Sequence, residues 1–209
     1  MIKVMIADDH AVVRDGLRMV LEAAGDIEVI AEAENGEQTL AMLQTIKPDV
    51  LLLDVAMPGL SGFDVLQRMM QKNSDIAVLV LSMYPEEQYA LRFLKTGAAG
   101  YLTKETASKE LVKAIHRVAK GQRYISSEVA DLLAQNITGN HEELPHERLS
   151  DREYQVMCHI ASGKTVSQIG DQMSLSVRTI STYRSRIMAK MRMSSNAELT
   201  HYAIKHGLV

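Results

Sequence analysis

Apolar residues recur along this chain in two rhythms, and the change between them divides it. Up to about residue 120, short apolar runs alternate with segments of helical apolar spacing. Residues Ile2–Ala7 read as a strand that ends at Asp8 and Asp9. The spacing of Val13, Leu17, Val20, Leu21 and Ala24 predicts a helix stopped at Gly25. Residues Ile27–Ala33 alternate apolar and polar, as a strand near a sheet edge does. Asn35-Gly36 turns into a second helix with Leu40, Leu43 and Ile46 on one face, broken by Pro48. Then comes Val50-Leu51-Leu52-Leu53-Asp54, an apolar run closed by a carboxylate, the pattern of a strand covered on both faces. A helix over Ser61–Lys72, a strand over Ala77–Leu81 ending in Ser82, and a helix over Glu86–Lys95 follow. Tyr101–Thr103 is a last short strand ending in Lys104, and Leu111, Ile115, Val118 and Ala119 mark a helix from about Ser108.

Five strands alternating with five helices predict an α/β domain, a doubly wound parallel sheet with helices on both faces. Each crossover returns the chain to the same sheet edge. Asp8, Asp9, Asp54, Ser82 and Lys104, far apart in sequence, are therefore expected together at the carboxyl ends of the strands. Residues 121–147 form a joint: a short helix is expected from Ser127 to Ile137, then a polar, turn-rich linker through Pro145. From 148 to 209 the rhythm is helical only. Ser150, Thr165 and Ser176 open three helices, and a fourth runs from Asn196 to Lys205. The third carries Ile180, Tyr183, Ile187 and Met191 as an inner stripe.

Composition sharpens this division. The 209 residues are 46% hydrophobic and 23% charged, ordinary for globular chains. No apolar run approaches the ~18 residues of a membrane span. Met1-Ile2-Lys3-Val4 lacks a signal-peptide pattern, and Cys158 is the only cysteine, so a reducing, cytoplasmic setting is expected. Residues 1–120 hold 13 basic and 17 acidic side chains, residues 121–147 hold 1 and 5, and residues 148–209 hold 9 and 4. An acidic front half and a basic tail point to two tasks, the second beside a polyanion.

Three carboxylates gathered at one sheet edge repel one another unless a cation sits among them. Oxygen ligands favour Mg²⁺, which makes Asp54 a nucleophile for a phosphoryl group that Lys104 and Ser82 can bind. Asp8-Asp9, Asp54 with Met57-Pro58-Gly59 and Gly62, Ser82, and Tyr101 with Lys104 resemble the receiver domain of two-component response regulators. That resemblance covers about residues 1–120 and implies the flavodoxin-like fold. It implies that a sensor histidine kinase phosphorylates Asp54. It implies Mg²⁺ ligation by Asp9, Asp54 and the carbonyl of Ala56, with Asp8 assisting. It also makes Ser82 and Tyr101 a switch pair. Receivers often carry Ala after the switch hydroxyl; here Met83 is expected to restrict access.

In the tail, helix, tight turn and helix form a helix-turn-helix pattern. At about 100° per residue, Arg178, Ser181, Thr182, Ser185 and Arg186 lie opposite Ile180 and Ile187, where they can meet phosphates and base edges. The run from Leu149-Ser150-Asp151-Arg152-Glu153 to Lys190-Met191 resembles the LuxR-type output domain. With a receiver, the chain is similar to the NarL/FixJ group of regulators. That implies double-stranded DNA as partner and a homodimer on phosphorylation. Arg178, Arg184, Arg186 and Lys190 are the phosphate candidates, and Ser181, Thr182 and Ser185 the base candidates. The group often has Lys and Val or His where Ser181, Thr182 and Tyr183 stand, so base preference does not carry over. A phosphorylation-independent regulator and an aspartyl phosphatase are the competing expectations. The phosphatase needs a second Asp where Ala56 stands.

Overall fold

The structure, a computed structural model, describes residues 1–83, 86–126, 129–130, 144–173 and 175–209. It comprises two compact units, Met1–Gln135 and Asn136–Val209. The first runs β1 (Ile2–Ala7), α1 (Ala11–Glu22), β2 (Ile27–Ala33), α2 (Gly36–Met42), β3 (Val50–Asp54), α3 (Gly62–Gln71), β4 (Ala77–Ser82), α4 (Glu86–Thr96), β5 (Gly100–Thr103) and α5 (Lys104–Val118). All pairings are parallel, in the order β2-β1-β3-β4-β5. Helices α1 and α5 pack together, while α2, α3 and α4 pack in sequence. This is the predicted doubly wound sheet, with the alternating strand β2 at an edge.

Alternation along the strands feeds two cores. Val4, Ile6, Val50, Leu52, Leu79 and Leu81 pack with Leu111, Ile115 and Val118 of α5. Met5, Leu51, Leu53 and Val80 occupy the alternate positions and are equally buried. Burying each such side chain contributes about 1.5–3 kcal/mol. β3 is therefore pinned along its length, and Asp54 at its end has little freedom to move.

Two expectations shift. In α1 the inward stripe runs through Arg14, Leu17 and Leu21, and Val20 faces solvent. The Arg14 guanidinium accounts for this: Nη1 donates to the Asp8 carbonyl at 2.8 Å, and Nε and Nη2 meet Glu32 and Glu34. α5 begins at Lys104, not near Ser108, because Thr103 caps it by accepting from the Thr106 amide at 3.2 Å. The helix expected over 127–137 lies outside the described residues except for Val129 and Ala130, as does most of the linker after it.

The second unit holds a 3-10 turn (Pro145–Arg148), α6 (Asp151–Ala161), α7 (Val166–Met173), α8 (Val177–Met191) and α9 (Asn196–Lys205). Ser150, Ser176 and Ser195 cap α6, α8 and α9 through their side chains. Val156, Ile160, Ile169, Ile180, Ile187, Met191 and Leu199 form its buried core, with Tyr183 only half-buried. The α7–α8 turn is tight: a Cβ on Gly170 would lie 2.7 Å from the Leu175 carbonyl oxygen.

Candidate functional site

Strand register assembles the first site. Ala7 pairs with Leu53, Asp54 with Leu81, and Ser82 with Thr103. One residue further along β1 and β5 stand Asp8 and Lys104, so four strand ends deliver their polar residues to one edge. Gly62 lets the following loop fold back on Asp54, since a Cβ there would lie 2.1 Å from the Asp54 carbonyl oxygen. Asp8, Asp54 and Ser82 are all nearly enclosed. Lys104 Nζ donates to Asp8 Oδ2 at 2.6 Å and sits 3.1 Å from Asp54 Oδ1.

One ammonium does not neutralise this cluster. Burial raises the Asp54 carboxyl to about 6; Lys104 opposes the rise, and Asp8 and Asp9 add to it. Burial also pulls the Lys104 ammonium down, but Asp54 and Asp8 more than reverse that, so it stays charged. Single oxygens of Asp8, Asp9 and Asp54 and one ring nitrogen of His10 lie within 4.8 Å of one another. Asp9 Oδ1 is enclosed without a hydrogen-bond donor, although His10 Nδ1 approaches to 2.8 Å. A buried carboxylate oxygen lacking a donor, among like charges, fits a hard divalent cation. Ala56, whose carbonyl was expected as a ligand beside Asp9 and Asp54, is exposed two residues beyond Asp54.

The second site is the outer face of α8. Arg178, Ser181, Thr182, Ser185 and Arg186 are all exposed there, opposite the buried Ile180 and Ile187. The three hydroxyls bond back to carbonyls one turn earlier, Ser181 to Val177, Thr182 to Arg178 and Ser185 to Ser181. Their lone pairs still face outward as acceptors. Two expected phosphate contacts are engaged within the unit. Arg184 Nε donates to Asn196 at 2.8 Å, and Lys190 Nζ donates to Glu153 at 2.6 Å.

Residues 4–116 match the response regulator receiver domain, and residues 147–203 match the bacterial regulatory proteins of the luxR family. The chain belongs to the two-component response regulators. Response regulator UvrY of Escherichia coli (strain K12) is 39% identical over 209 residues, covering 100% of this chain and 96% of UvrY. Response regulator GacA of Pseudomonas aeruginosa is 39% identical over 210 residues, covering 100% and 98%. Among solved structures, RcsB from Salmonella enterica serovar Typhimurium, bound to promoter rprA with the phosphomimetic BeF3-, shares 25% identity. It aligns with a TM-score of 0.62 over 96% of this chain and 97% of that one. The response regulator is thus a phosphorylation-dependent DNA-binding regulator of a two-component system.

Within this response regulator, His10 and Arg14 are neighbours of the acidic edge that sequence reasoning passed over. His10 follows Asp8-Asp9 directly, and that adjacency was the available signal. Arg14 had none, because it occupies an apolar stripe and reaches the Asp8 carbonyl only through the fold. Tyr101 is buried with its ring 5.9 Å from that of Phe93, and Met83 is 78% exposed beside Ser82. Among the described residues no helix is long and apolar enough to cross a membrane.

Proposed function

We propose that Asp54 accepts a phosphoryl group from a sensor histidine kinase and that the outer face of α8 reads the result as a change in DNA binding. One observation carries this: Asp54 is fixed at the end of a buried strand, 3.1 Å from Lys104 and grouped with Asp8 and Asp9. With its carboxyl near 6, Asp54 is ionised at neutral pH and free to attack phosphorus. The bond from phosphorus to the donor's nitrogen breaks as the bond to the Asp54 oxygen forms. Lys104 and the Ser82 hydroxyl receive the phosphoryl oxygens, and Tyr101 follows Ser82. Asp8, Asp9, Asp54 and the Ala56 carbonyl would hold Mg²⁺, which would supply Lewis acidity there when bound.

Residues 1–120 receive the signal, 121–147 join, and 148–209 bind double-stranded DNA as a homodimer in the cytoplasm. Arg178 and Arg186 contact phosphates, while Ser181, Thr182 and Ser185 face bases. Arg184 and Lys190, each already bonded to Asn196 or Glu153, join them with their remaining N–H groups. The relation to promoter-bound RcsB and the basic charge of residues 148–209 support this assignment. The chain is not an enzyme in this reading, since Ala56 stands where an aspartyl phosphatase needs its second carboxylate. Incubation with acetyl phosphate and Mg²⁺ should label the wild type and leave Asp54→Asn unlabelled. Labelling that persists in Asp54→Asn would sink the assignment.

A further inference from the structure

The joint begins on the receiver's own switch region. After α5, Gly121 at φ +73° reverses the chain, and the Gln122 amide donates back to Arg117 at 3.1 Å. Tyr124 then lies along the open edge of β5. Its amide donates to the Ala99 carbonyl at 2.9 Å, and it forms a parallel bridge with Gly100. The approach is close enough to need glycine, since a Cβ on Gly100 would lie 2.8 Å from the Tyr124 carbonyl oxygen. The Tyr124 ring joins the α5 side of the core, and its hydroxyl donates to Glu110 at 2.9 Å. Burial and the Glu110 carboxylate push that hydroxyl up to about 12, so it remains a donor at any physiological pH.

Two residues on, the Ser126 hydroxyl donates to the carboxylate of Glu86, the first residue of α4 and four beyond Ser82. Ser126 also opens the next segment. Its hydroxyl accepts from the Val129 amide at 3.3 Å, and its carbonyl accepts from the Ala130 amide at 3.0 Å. One groove of about 550 Å³ has Ser82, Met83 and Lys104 in its lining together with Glu86, Tyr124 and Ser126. The groups expected to hold a phosphoryl group and the root of the joint therefore share a cavity.

We propose that Tyr124 and Ser126 form a clasp that holds the root of the joint against the unphosphorylated receiver. It rests on the assignment of Asp54 and Ser82 above. Drawing Ser82 toward charge on Asp54 pulls on Glu86, four residues further along the chain. Glu86 then shifts away from Ser126, the cap over Val129 and Ala130 loosens, and the change enters the chain that leads to the output half. Glu110 and Gly100 hold the Tyr124 end, so Ser126 is the end that gives way first.

Amide hydrogen exchange on the full chain tests this, with and without beryllofluoride and Mg²⁺. In the wild type, beryllofluoride should speed exchange at Val129 and Ala130 by about tenfold, the scale of one lost hydrogen bond to a charged group. Ser126→Ala should show the fast rate in both conditions. Tyr124→Phe, which keeps the ring and removes only the hydroxyl, should retain the response while raising the Tyr124 rate. Asp54 labelling by acetyl phosphate is scored on the same proteins. Failure of the Asp54 assignment would appear as labelling that survives Asp54→Asn. Rates at Val129 and Ala130 that ignore beryllofluoride, in protein that labels at Asp54, would overturn the clasp.

Discussion

Asp54 carries a stability cost that its replacement should reveal. In the unfolded chain its carboxyl titrates near 3.8, and in the folded receiver near 6. Between those values the folded state binds the extra proton, so stability falls as pH rises through the window and stays lowered above it. At about 1.36 kcal/mol per pH unit, the displacement corresponds to about 3 kcal/mol at pH 7. Asp54→Asn removes the charge while keeping the shape. In EDTA at neutral pH, urea unfolding of the full chain should show Asp54→Asn more stable by up to about 3 kcal/mol, in the transition of the unit that carries it. The gain should shrink as pH is lowered from 6 and vanish below 3.8, where the wild-type carboxyl is protonated in both states. Added Mg²⁺ should close the gap from the other side, because binding to the folded wild type stabilises it by mass action. An Asn variant no more stable than the wild type at pH 7, or a gain that ignores pH, would refute the account of Asp54 as a buried and under-compensated charge.

Further outcomes follow from the same structure. Lys190→Met should destabilise the second unit by about 1–3 kcal/mol, toward the lower end because Lys190 is half exposed, as its thermal midpoint would show. Burial alone would raise Glu153, but bonds from Lys190 and Ser150 lower it. That stability is present above the ordinary carboxylate range and is lost as pH falls through the folded value, so the Lys190→Met deficit should shrink in acid. Arg178→Gln should reduce the salt slope of DNA binding by about one charge. Arg184→Gln, its guanidinium already bonded to Asn196, should change that slope less. Gly62→Ala should cost about 1–3 kcal/mol and impair acetyl phosphate labelling, because its Cβ would force the loop off the Asp54 carbonyl.

Much of this molecule was legible without coordinates. The apolar run through Leu53 reads as a strand covered on both faces, and parallel crossovers then bring Asp8, Asp54, Ser82 and Lys104 together. Helix caps at Ser150 and Ser176 and the stripe through Ile180 and Ile187 were written in local pattern, because caps and periodicity act within a turn or two. What pattern cannot express is a contact between elements. Arg14 reads as a polar interruption in α1 until β1 places the Asp8 carbonyl beneath it. Lys190 reads as a free phosphate contact until α6 brings Glu153 within 2.6 Å. Lys104 reads as the end of the last strand, with a helix only from about Ser108, until the Thr103 side chain is seen to cap α5 directly. The amino-acid sequence by itself determined which residues carry the chemistry, since side-chain type and strand alternation are properties of the chain. Tertiary structure alone decided which charges are already compensated and that Ser126 meets Glu86, because those energies depend on distance and burial between segments far apart in the chain.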